Sequence, residues 1–121
     1  MPEISFSDAM TANQTGLSLL EQRTSFPAWQ FRFLPWPAAV MVLIRATTTG
    51  VRLTIYTGSQ TIKQRSFVQG GGTAGTTPSI LNTNPITFTA AAGDYLQLIV
   101  DETAGGTPTV DWQVIVEPII F

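Results

Sequence analysis

The sequence predicts an all-β domain, a jelly roll or related β-sandwich of about seven or eight antiparallel strands. Three observations carry this. Short runs alternate apolar and polar residues along most of the chain. Glycine-containing turns separate those runs at fairly regular spacing. No segment sustains the 3.6-residue period of a long helix. At 121 residues the chain has the length of one domain, with room for a real core.

Residues 1–25 differ from the rest. They are polar and show no evident strand alternation, apart from a short apolar cluster of Leu17, Leu19 and Leu20 after Gly16. This reads as an N-terminal arm that needs a surface to lie against, with residues 26–121 forming a single β-sandwich domain. Residues 26–34 are aromatic-rich, with Phe31 and Phe33 on one face, and read as the first strand. Pro35 and Pro37 break it, because proline lacks the ladder donor. Trp36 lies between them as a candidate exposed anchor, a residue type that often dominates protein interfaces.

Residues 38–46 are nearly all apolar and predict a buried strand. After a turn at 47–50, Val51, Leu53 and Ile55 alternate with Arg52, Thr54 and Tyr56, a half-buried strand. A turn at 57–60 leads to residues 62–68, where neither alternating set is clearly apolar and the inward face is ambiguous. Residues 69–84, with Gly70, Gly71 and Gly72, predict a long irregular excursion. Residues 86–89 form a short strand. A turn at 90–94 precedes a strand over 95–101 with Leu96, Leu98 and Val100 inward. Beyond the turn at 103–108, Val110, Trp112, Val114 and Val116 share a phase, which places Trp112 in the core.

Charge is sparse, 12% of residues, and the net charge is −2. Six basic residues are too few to lean on counterion release, so nucleic-acid binding is not expected. All six precede residue 66, beside three acids, whereas five acids and no base follow it. One fold can absorb this split by placing basic strands beside acidic ones. It can also steer subunits together. The longest apolar run, residues 35–44, is about half the length of a membrane helix, and no leader is visible at the N-terminus.

The absence of cysteine excludes disulfides and thiolate metal sites. The absence of histidine removes the commonest base and metal ligand, and with it Ser-His and Cys-His nucleophiles. Carboxylates remain. Asp94, Asp101, Glu102 and Asp111 could supply a facing pair for glycoside hydrolysis, but they read as turn and strand-end residues; Asp101, Glu102 and Asp111 bracket one loop as oxygen ligands for calcium would, but without a recognised spacing. No enzyme, cofactor or metal is expected. An exposed aromatic platform from Trp29 and Trp36 would instead suit a carbohydrate- or receptor-binding module.

The stretch Gly-Val-Arg-Leu-Thr-Ile-Tyr-Thr-Gly-Ser at 50–59, then Ala-Ala-Gly-Asp-Tyr-Leu-Gln-Leu-Ile-Val at 91–100 and Thr-Ala-Gly-Gly-Thr-Pro at 103–108, follow a polar N-terminal segment. In this order they resemble the small jelly-roll cement, or decoration, proteins of tailed-phage capsids. The resemblance implies a jelly roll without catalytic residues, made in the host cytoplasm. It implies a seat on the capsid exterior, where each copy clamps neighbouring major capsid subunits, often as a homodimer, with a trimer the other arrangement. On that reading Leu17, Leu19, Leu20, Arg23 and Trp36 are the expected partner-binding residues, four of them at or near the arm.

Overall fold

The structure is a computed structural model, and it describes residues 3–20, 34, 36–58, 60–75, 78 and 83–119. Its strands are β1 (Glu3–Ala9), β2 (Leu17–Ser18), β3 (Ala38–Ala46), β4 (Val51–Thr57), β5 (Gln60–Phe67), β6 (Ile86–Ala90), β7 (Leu96–Glu102) and β8 (Thr109–Pro118). Among the described residues these make two four-stranded sheets, a first sheet ordered β1-β8-β3-β6 and a second ordered β2-β7-β4-β5. Every pairing is antiparallel.

The predicted β-sandwich is therefore present, and its strand order is that of a jelly roll. β1 pairs with β8, β2 with β7, β3 with β6 and β4 with β5, so the first half of the chain lies along the second as a folded-over ribbon. An immunoglobulin-like sandwich has a different order. Successive side chains on a strand point to opposite faces, and the inward set here is aliphatic. Val40, Val42 and Ile44 of β3 meet Val110, Trp112, Val114 and Val116 of β8 beneath one sheet. Val51, Leu53 and Ile55 of β4 and Leu96, Leu98 and Val100 of β7 close the core from the other. Trp112 is completely buried, as its phase predicts. Its indole N–H donates to an Asp8 carboxylate oxygen at 2.8 Å, which satisfies the polar end of an otherwise apolar core residue.

The N-terminal segment departs from the expected arm. Residues 3–9 are an edge strand in register with β8, from Glu3 opposite Ile115 to Ala9 opposite Thr109. Met10, Leu19 and Leu20 belong to the hydrophobic core. The backbone confirms the insertion, with Met10 N–H donating to Pro108 O at 2.9 Å and Leu19 N–H to Leu98 O at 2.8 Å. The physical reason is burial of apolar surface: Ile4, Phe6 and Leu17 also pack on the core, and a free arm would leave them in water. The strand expected over residues 26–34, and Trp29 within it, lie outside the described residues apart from Leu34.

The ambiguous alternation of β5 has a structural cause. Its register with β4 shifts twice, between Leu53 and Ile55 and again between Ile55 and Tyr56. Each shift changes which residues face inward. Ile62 packs toward the core, while Phe67 ends up 69% exposed.

Candidate partner-binding surface

The residues expected to grip a partner are scattered by the fold. Leu19 and Leu20 are 0% and 2% exposed, so they hold the sandwich together and offer a partner nothing. Leu17 is half-buried on β2, paired opposite Val100. Trp36 is half-buried and packs against the core. Arg23 lies outside the described residues. The sequence of residues 1–25 suggests a free arm because Asp8 occupies an inward strand position. That polar residue hides the alternation of Ile4 and Phe6, and only its bond to Trp112 explains it.

A different surface emerges on the outer face of the first sheet. Register places Met41 between Thr87 and Ile115, and Ala39 between Thr89 and Glu117. These six residues line an open groove of about 420 Å³. Ala39, Thr87, Thr89 and Glu117 are exposed, while Met41 and Ile115 are half-buried. Glu117 is the one charged residue in the lining.

The groove stops where the chain covers its own sheet. Leu43 follows Met41 on the same face, by strand alternation, yet is only 2% exposed. At that end residues 69–75 come back over β3 and β8. Ala46 N–H donates to Gln69 O, Gly72 N–H to Ala46 O, and Arg45 Nη2 to Gly71 O. Gly75 N–H reaches the Asp111 carboxylate at 2.9 Å, and Ser7 Oγ donates to the same oxygen. That end of the face is thus capped by residues 69–75, and the Met41–Ile115 end is left as an open groove.

The candidate carboxylates are engaged with loops. Asp94 accepts from Ala91 N–H at 3.0 Å, within its own turn. Asp101 accepts from Gly16 N–H at 2.8 Å. Buried Glu102 accepts from the backbone N–H groups of Asn13, Ala104 and Gly105 at 2.8, 2.6 and 3.0 Å, joining the turn before β2 to the turn after β7. The Asn13 N–H foremost, helped by the Ala104, Gly106 and Gly105 N–H groups, holds this carboxyl below its ordinary value of 4.5 against the opposing effect of desolvation. Among the described residues no cluster of three or more acids is arranged to hold a metal ion.

One aromatic is presented to solvent on the other sheet. Phe67 stands opposite Arg52, whose guanidinium lies 4.1 Å from the ring centroid, a cation–π contact. Its strand phase, opposite to that of the core-facing Ile62 and Val68, puts Phe67 on the outer face. No protein-family model, curated protein or solved structure matches this chain.

Proposed function

We propose that this chain is a non-enzymatic capsid decoration protein, which binds the outside of a phage head and clamps neighbouring major capsid subunits. The observation that carries the reading is the open Met41–Ile115 face, a charge-poor apolar strip on a rigid jelly roll. Apolar surface on a sheet's outer face costs solubility unless a protein surface covers it. A β-sheet presents such a strip with little conformational freedom, so docking loses little entropy. The sparse charge of the whole chain, 12%, suits a seat against a protein lattice. Many weak contacts on one lattice gain from avidity, so a single face need not bind tightly.

The test is co-sedimentation of the purified protein with capsids that lack it, followed by cryo-EM of the pellet. Saturable binding at fixed lattice positions is expected. Met41→Lys with Ile115→Lys should weaken it at least tenfold while leaving the circular-dichroism spectrum unchanged. A folded wild-type protein that stays in the supernatant overturns the proposal.

The 69% exposure of Phe67 over Arg52 favours a second reading, a carbohydrate- or receptor-binding module of a phage fibre or spike. Its mark would be glycan-array binding that Phe67→Ala abolishes.

A further inference from the structure

One end of the sandwich carries a cleft of about 510 Å³. Both sheets contribute to it. Pro37 before β3, Thr89 near the end of β6 and Ile119 after β8 come from the first sheet. Thr57 at the end of β4 and Gln60 at the start of β5 come from the second, and Asp94 from the turn before β7. Small-molecule sites are clefts of roughly 300–1,000 Å³. Backbone bonds hold the frame: Ile119 N–H donates to Pro37 O at 2.9 Å, and Gly58 N–H to Tyr95 O at 3.0 Å.

Among the described residues, all four polar side chains of the lining have hydrogen-bonding capacity to spare. Asp94 uses one oxygen, Oδ2, on Ala91 N–H, and its Oδ1 has no hydrogen bond. A Cβ on Gly58 would stand 2.9 Å from Oδ1, so the glycine of the β4–β5 turn leaves space beside it. Gln60 and Thr89 are exposed, and neither side chain has a hydrogen-bond partner. Thr57 is the informative residue. It is 1% exposed, on the inward face of β4, and its Oγ1 has no partner. A buried polar group without a partner costs stability, and native structures hold few of them. Valine would fill the same position without that cost.

We infer that this cleft is a binding site for a neutral saccharide. The groups left over are two hydroxyls, an amide and one carboxylate oxygen. That set both donates and accepts, as a ring bearing several hydroxyl groups requires. Pro37 and Ile119 offer apolar surface to the C–H face of a pyranose ring. The described lining has one carboxylate and no cation, so like-charge repulsion disfavours an anionic ligand. Gln60 and Phe67 are the two ends of β5, roughly 23 Å apart in an extended strand. The cleft is therefore separate from the Phe67–Arg52 surface, and the inference is independent of what covers the Met41–Ile115 groove.

The experiment is a titration of the isotope-labelled full chain with glucose, galactose and mannose, followed by amide chemical shifts. At least one sugar should shift the amides of Thr57, Gly58, Gln60 and Asp94 saturably and leave those of Arg52 and Phe67 in place. The uronic acid of that sugar should bind less tightly. Thr57→Val and Gln60→Ala should each weaken binding by about three- to tenfold, the loss of one or two hydrogen bonds. Thr57→Val should at the same time leave the melting temperature unchanged or raise it, because it removes an unpartnered buried hydroxyl. A panel that shifts none of these amides, shifts centred on Phe67, variants that bind as tightly as wild type, a uronic acid that binds more tightly than its sugar, or a Thr57→Val protein that melts lower overturns the inference.

Discussion

Deleting residues 2–22 should unfold the protein. The deletion removes all of β1 and β2 and three core side chains, Met10, Leu19 and Leu20, each at most 2% exposed. Full burial of one such side chain stabilises by about 1.5–3 kcal/mol, so the three together contribute roughly 4.5–9 kcal/mol. That is comparable with the whole stability of an ordinary domain, about 5–15 kcal/mol. The deletion also strips β8 of its partner along seven register positions and exposes one side of Trp112. A milder perturbation gives a graded result. Leu19→Ala should cost about 2–5 kcal/mol, since a completely buried leucine leaves a cavity that the flanking strands cannot fully close. At roughly 3–5 °C per kcal/mol for a chain of this size, the melting temperature should fall by at least about 6 °C. The assay is thermal and urea unfolding followed by circular dichroism and tryptophan fluorescence. A truncated protein that melts cooperatively at the wild-type temperature would show that residues 3–20 are an accessory arm after all.

Three further outcomes follow from single contacts. Asp8→Ala orphans the buried indole N–H of Trp112 and should cost about 1–3 kcal/mol in urea unfolding, whereas Asp8→Asn, which keeps an acceptor, should cost clearly less. Gly50 has φ of +100° and a Cβ there would stand 2.5 Å from the Ala104 Cβ, so Gly50→Ala should cost at least about 1–3 kcal/mol from backbone strain alone. Adding Ala104→Gly should recover the steric part and leave the strain, which a double-mutant cycle reads directly. Glu102 is held below 4.5, so its anionic form favours the folded state. That stabilisation is complete above pH 4.5 and is lost as the pH falls through the lowered folded value. Glu102→Gln should therefore be less stable than wild type at neutral pH and converge with it in acid; parallel stability curves across that range would refute the assignment.

The sandwich was legible because four of its strands advertise themselves. β3 is an unbroken apolar run, and β4, β7 and β8 alternate with the inward set apolar. β1 was not legible, and the reason is local. Its inward positions are Ile4, Phe6 and Asp8, and the last becomes an inward residue only through a tryptophan more than a hundred positions away. Leu19 and Leu20 are adjacent, so no strand period accounts for both being buried; they lie in a turn that enters the core. The open groove was hidden for a different reason. Ala39, Met41 and Ile115 look like interior residues of apolar strands, and they become surface because they point to the outer side of the sheet, beyond the end that residues 69–75 cover.

The uneven charge along the chain acquires a meaning from the topology. A jelly roll lays the first half of the chain against the second, so basic strands from one half become neighbours of acidic strands from the other. Arg45 of β3 stands opposite Asp111 of β8, and Arg52 of β4 opposite Asp101 of β7. Opposite charges facing across a ladder favour the native register, and a two-residue slip, the smallest that keeps the apolar faces inward, would separate both pairs. The split therefore serves folding by specifying which half-ribbon positions meet. The groove along β3, β6 and β8 has Glu117 as its one charged lining residue, so on the decoration-protein proposal capsid binding through it should change little between low and moderate salt, as co-sedimentation at two salt concentrations would read.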